Sequence, residues 1–362
     1  MSKQTLLWLN TMSLIGFTSK RGNAWHYKEE LQGDQSNHYE GPIPQEDVLK
    51  RLFNFTVSDA PIFIKVPCDI DNPEMIGLGP DNRPYKLKEL INRKAMVTDD
   101  TYDELGIFKG GYQGHTFREW LLQNVANILG DGLSISSAGL LRNRAVAWVE
   151  VSVPDNIRTP EGVVFRPNLV ACTSYDGSLS TTYKRNITNV VCDNTLRIGI
   201  MGDDQRIKIK HSANSLGRMD EVRSALGIVV DVAEQFQAEV SRLCSQEITL
   251  KQWGQFLDLY VPMKDKDGNL KTGRGLTNVQ NKREALKNLY NNDLRVSPWA
   301  GTAFGVLQAT NTYNAHIQTV RGGGDMDAGV FRGLRNMENA LMGVTEKADA
   351  EVLVLIDQLV AA

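Results

Sequence analysis

The chain has 362 residues, 41% hydrophobic and 23% charged, which suits a folded protein with a sizeable core and excludes a disordered or fibrous one. Its formal net charge of −3 does not point to a nucleic-acid partner through global charge. Its cysteines (68, 172, 192 and 244) lack Cys-x-x-Cys spacing, no leader with a small-residue cleavage site is evident, and no apolar run approaches the roughly 18 residues of a membrane span. These features predict reduced thiols, no membrane partner and a cytoplasmic setting.

Charge is polarised along the chain. Residues 183–223 carry eight Lys/Arg against five Asp/Glu, and residues 264–295 carry eight against four. Acids collect instead in residues 29–47 and 338–357.

Taken in chain order, residues 1–110 read as a loop-rich N-terminal region. Prolines at 42, 44, 61, 67, 73, 80 and 84 interrupt short runs, and residues 57–66 are the strand candidate. Thr116 stands three residues before Glu119 ahead of an apolar-periodic run. That capping box predicts a helix to about residue 129, burying Phe117, Leu121, Val125 and Ile128 and ending at Gly130 or Gly132.

Residues 111–245 then read as an α+β core. Strands are expected at 133–138, 144–153 and 163–174, with Ala147, Val149 and Val151 on one face of the second. Asp176-Gly177 lies between two β-favouring runs, 169–175 and 178–183, and predicts a two-residue hairpin turn. With no helix between them, these strands should form an antiparallel sheet. Asp193, Asn194 and Thr195 suggest an N-cap for a helix over 196–201. Val222, Leu226, Val229, Ala233, Phe236, Val240 and Leu243 form a heptad-like stripe on a helix over 218–243. Such a stripe packs either within the chain or against a second copy.

Residues 246–362 read as mostly helical. Helices are expected at 250–259, 282–290 and 300–318, a charged loop at 264–275, and a last helix at 346–360 beyond a Gly322-Gly323-Gly324 linker. The fold class is therefore α+β: an antiparallel β-meander backed by long helices, with a helical C-terminal region.

Enzyme signatures are absent. The histidines (26, 38, 115, 211 and 316) are scattered, with no His-Glu-x-x-His, zinc-spaced cluster or P-loop. Asp265, Asp267 and Asn269 sit around Gly268 as in a solvated turn, because Leu276 stands where a calcium loop needs its glutamate. Cys192 with His211 permits a nucleophile–base reading, but a small buried thiol is the commoner role. The chain is thus expected to be non-enzymatic, with no cofactor or metal.

The candidate functional residues lie around a basic strand. Arg206, Lys208 and Lys210 alternate with Ile207 and Ile209, so an extended chain gathers three cations on one face. With Tyr183, Lys184, Arg185, Arg197 and His211 they combine aromatic surface and positive charge, the ingredients of a single-stranded nucleic-acid groove. The alternative is a solvated face whose lysines protect a sheet edge from pairing. Lys271, Arg274, Lys282, Arg283 and Lys287 form a second basic region that could extend the track, and Trp25-His26 is either core packing or an interface anchor.

The Asp176-Gly177-Ser178 turn, the Val191-Cys192-Asp193-Asn194-Thr195-Leu196 element and the Lys210-His211 strand end before a long helix resemble the phage/plasmid-like protein family. Trp25-His26, Gly111-Tyr112, the 299–304 segment and Tyr313 extend the similarity over residues 25–320, strongest at 133–243. Residues 29–47 and those after Gly322 have no counterpart in it. The resemblance implies a mobile-element protein in a bacterial host, largely of unknown function, and brings no catalytic residues. By architecture, a sheet with a long helix is also similar to phage single-strand annealing proteins of the Red-beta, RecT and Erf types. That analogy implies a homo-oligomer, a ring or filament, holding single-stranded DNA in recombination or replication. A ring-like assembly that contacts other proteins, including host defence factors, is the competing expectation.

Overall fold

Period-two alternation, which turns successive side chains to opposite faces of a strand, organises the main sheet of this molecule. The computed structural model describes residues 10–23, 27–126, 133–153, 155–189, 194–196, 206–209, 229–320 and 328–361. In chain order, β1 (Ser13–Ile15), α1 (Thr18–Arg21) and α2 (Gln45–Arg51) precede four strands, β2 (Val57–Pro67), β3 (Met75–Leu78), β4 (Pro84–Thr98) and β5 (Glu104–Lys109). These four make a separate antiparallel sheet with β4 at its centre. Residues 57–109 are therefore a sheet rather than a string of loops. Among the described residues β2 is an edge strand, the kind in which prolines such as Pro61 and Pro67 are accommodated.

Next comes α3, a π-helical turn (Arg118–Gln123) running into a short α segment (Asn124–Ala126). The Glu119 N–H donates to Thr116 Oγ1 at 3.3 Å, as the capping pattern predicts. Phe117, Leu121 and Val125 are buried as expected, and the rest of the predicted helix lies outside the described residues.

The main sheet follows: β6 (Ser134–Leu141), β7 (Val146–Ser152), β8 (Ile157–Arg158), β9 (Val164–Ser174), β10 (Thr181–Asn189), β11 (Asn194–Leu196) and β12 (Arg206–Ile209). Its order is β1-β6-β7-β9-β10-β11, with β8 on β9 and β12 on β10, all antiparallel. Cys172 pairs with Thr182 and Ala171 with Tyr183, which centres the β9–β10 hairpin on Gly177 at φ +74°. The turn is wider than the two residues expected. Asp176 Oδ1 accepts from the Ser178 N–H at 2.8 Å, and Ser174 Oγ exchanges hydrogen bonds of 3.0 Å with the Leu179 backbone, so side chains hold a six-residue loop open.

A second difference concerns Asn194 and Thr195. They belong to β11, paired in register with Asn189 and Thr188, instead of capping a helix. A strand edge supplied by β10 outweighs the local capping preference of these residues.

Both faces of the main sheet are covered. On one, Ala147, Val149, Val151, Leu169 and Ala171 pack with Trp120, Leu121 and Val125 of α3. On the other, Val146, Trp148, Val170 and Cys172 pack with Leu341.

The remaining helices are α4 (Val229–Ser245), α5 (Leu250–Tyr260), α6 (Gly273–Asn292), α7 (Ala303–Thr312), α8 (Ala328–Met342) and α9 (Val344–Ala361). Thr249 and Gln252 form a reciprocal capping box at the start of α5. A π turn, Tyr313–Ile317, extends α7. A single helix is expected from sequence after the glycine triplet, whereas α8 and α9 both form there. Phe236, Val240 and Leu243 of α4 join Phe165 of β9, Phe256 of α5, Phe304 of α7 and Ile356 of α9 in one core. For those three residues the stripe is intramolecular, and packing runs continuously across residue 245. Residues 218–228 lie outside the described residues. The fold is α+β, with antiparallel sheets and a helical C-terminal region.

Candidate nucleic-acid interface

Strand β10 carries β9 along one edge and, end to end, β11 and β12 along the other. The expected basic strand forms as β12, which among the described residues is at the outer edge of the main sheet. Arg206 pairs with Lys184, Ile207 with Tyr183, Lys208 with Thr182 and Ile209 with Thr181. Arg185 takes its place on β10 opposite Leu169. Arg197, Lys210 and His211, like Cys192 and the Trp25-His26 pair, lie outside the described residues.

Two of the predicted site residues have other tasks. Tyr183 is a core side chain, 1% exposed. Its hydroxyl donates to the Trp120 carbonyl and accepts from Asn124 Nδ2 at 2.7 Å, and burial raises its pKa. A stacking platform must be open to a base, so Tyr183 is not one here.

Lys184 is 2% exposed. Its Nζ donates to the Ala340 carbonyl at 2.6 Å and the Leu341 carbonyl at 2.8 Å, in the last turn of α8, and lies 4.0 Å from Glu346 Oε1. A helix C-terminus leaves carbonyls without intrahelical partners and carries partial negative charge, so a buried ammonium fits there. Lys184 thus fastens α8 to the sheet instead of facing a phosphate. Arg142, in the β6–β7 turn, adds a second fastening: its guanidinium meets Asp176 at 3.0 Å and Glu338 of α8. Nothing local in the sequence signals these contacts, since Lys184 and Ala340 are 156 residues apart.

Replacing Lys184 with Met should therefore destabilise the chain by about 2–3 kcal/mol, because two buried carbonyls lose a charged donor. Hydrogen exchange should rise first across 328–342. Unchanged unfolding and unchanged exchange would mean that α8 is held by its apolar packing alone.

Several cations of the second basic region have partners within the helical part. Arg283 donates to the Leu257 and Val261 carbonyls at 3.0 and 3.2 Å and pairs with Asp258 at 2.8 Å, closing the C-terminus of α5. Lys271 donates to the Pro262 carbonyl at 2.8 Å, and Lys287 lies 4.0 Å from Glu284. Lys282 lies 4.4 Å from the Tyr260 ring centroid and 5.2 Å from that of Tyr313, and burial lowers its pKa.

Among the described residues, no group of three or more His, Cys, Asp or Glu could hold a metal ion. No described helix is long and apolar enough to cross a membrane. Burial pushes the Cys244 thiol up to about 12, which leaves little thiolate for chemistry at neutral pH.

No curated protein and no solved structure matches the chain. The model of the family described as Domain of unknown function (DUF932) matches residues 104–334, which span β5, α3, strands β6–β12 of the main sheet and helices α4–α7. That match takes in more than half of the chain, and the protein belongs to this family.

Proposed function

We propose that the chain is a non-enzymatic, homo-oligomeric protein of a phage or related mobile element that binds single-stranded DNA during recombination or replication. One observation carries this reading. The alternating basic segment is an extended strand at the outer edge of the main sheet, and among the described residues β12 has no strand beyond it. Such a strand offers a row of cations at the spacing of an extended backbone. With Tyr183 and Lys184 removed by their burial, the footprint comprises Arg185, Arg197, Arg206, Lys208, Lys210 and His211.

Replacing Arg206, Lys208 and Lys210 together with Gln should weaken oligonucleotide binding equally at all sequences. The slope of affinity against salt should flatten by roughly 0.7 for each phosphate left unneutralised, because fewer counterions are released. Titration of wild type and triple variant at several salt concentrations measures both quantities. Equal affinity and equal slope would leave these residues as edge protection.

A second reading has its own support. The sheet of β2–β5 exposes Phe63, Ile64, Ile76, Leu78, Leu87, Ile91 and Ile107, an apolar set on a surface sheet. It favours an assembly or interaction protein, with a host protein among its partners. Binding through apolar surfaces would vary little with salt, which separates the two readings.

A further inference from the structure

Between Pro61 and Glu89, β2 and β4 form an arm that has no second layer among the described residues, and most of its side chains are exposed. Phe63 is 50% and Leu87 42% exposed, although a sheet face ordinarily buries such residues against another element. Strand register sets Phe63 opposite Glu89 and Lys65 opposite Leu87. Directly opposed residues of an antiparallel pair share a face, so these four make a checkerboard. Phe63 and Leu87 occupy one diagonal, Lys65 and Glu89 the other. Tyr85 continues the same face, with Lys65 Nζ 4.6 Å from its ring centroid.

Among the described residues, neither Lys65 nor Glu89 forms an ion pair. On the reverse face, by contrast, Lys86 meets Glu74 at 2.7 Å.

We propose that this checkerboard is the docking surface for a second copy of the chain. The proposal rests on the self-assembly part of the function proposed above. A two-fold axis along the Phe63–Leu87 diagonal sets each phenyl ring against its counterpart and each leucine against its counterpart. The same rotation exchanges the two ends of the other diagonal. Lys65 then meets the partner's Glu89, and Glu89 meets the partner's Lys65. A face carrying charges of one sign would repel its own copy, whereas alternating signs make it self-complementary. Strand and residue spacings make the two arms cross at about 70°, near the orthogonal class of sheet packing. A nucleic acid is the poorer occupant, since Glu89 offsets Lys65 beside the rings that would stack.

Charge reversal tests this surface. Sedimentation of the full chain over a range of concentrations gives the dissociation constant of the assembly. Lys65→Glu and Glu89→Lys should each raise it by about tenfold or more, because each sets like charges together twice across the axis. The double variant, Lys65→Glu with Glu89→Lys, should return it to within about threefold of wild type, since each reversed charge again meets its opposite. Far-UV circular dichroism checks that all variants remain folded. An assembled wild type whose mass neither single variant changes would overturn this surface while leaving self-assembly standing, as would a double variant no better than the singles. A wild type that stays monomeric throughout would overturn both, and the oligonucleotide titration would still judge DNA binding separately.

Discussion

Phe236→Ala should cost about 3–5 kcal/mol of folding stability, the range for deleting a buried ring that its neighbours cannot replace. Phe236 is 1% exposed, and its ring centroid lies 4.5 Å from that of Phe165. It therefore joins α4 to β9, at the point where the sheet meets the helical region. Val240 and Leu243, one and two turns further along the same stripe, are fully buried as well. Little local collapse can refill the site, because Phe165 is a strand residue held by its ladder to β8 and β10. Denaturant unfolding measures the loss. The ring pair lies within one chain, so native mass under folding conditions should not change. Near-wild-type stability would mean the ring is not buried in solution. A fall in mass preceding any loss of helix would mean the stripe serves a neighbouring copy.

What the sequence revealed followed from physical periodicity. The strands β6, β7 and β9 and the β9–β10 hairpin were legible because one sheet face alternates strictly, as at Ala147, Val149 and Val151. The buried face of α4 was legible for the same reason, with a different period. The arm was not. Strands β3, β4 and β5 have no buried face along most of their length, so no hydrophobic alternation was required of them. Asn194-Thr195-Leu196 is a strand only because β10 offers an edge, which no local pattern encodes. Helix α8 is hard to read from sequence because Gly329 and Gly333 weaken its propensity, while its fastenings come from Lys184 and Arg142, far away in sequence. The candidate site divides the same way. Alternation foretold the basic strand, but a buried cation and a phosphate-facing cation look alike in sequence. Lys184 is the first kind.

Gly139→Val should prove about as damaging as removing a core aromatic, roughly 3–5 kcal/mol, although valine is the better strand former. Gly139 on β6 pairs directly with Trp148 on β7. A Cβ built at Gly139 would overlap the indole, and even the third-nearest atom, Trp148 Cζ3, would lie only 2.7 Å away. The indole lies across the glycine because no side chain stands there. Trp148 is 4% exposed and its Nε1–H donates to Ser137 Oγ at 3.2 Å. Any β-branched residue at 139 must evict that ring, losing its burial and its hydrogen bond together, and the neighbours Val146 and Cys172 would be uncovered with it. A double-mutant cycle isolates this cause. Trp148→Ala alone should cost a similar amount, but adding Gly139→Val to it should cost little, since the space is already vacant. The coupling should reach about 3 kcal/mol or more, at or above the upper end for residues that touch. Additive losses would show that the indole does not cover Gly139, and that valine harms the strand by some other route.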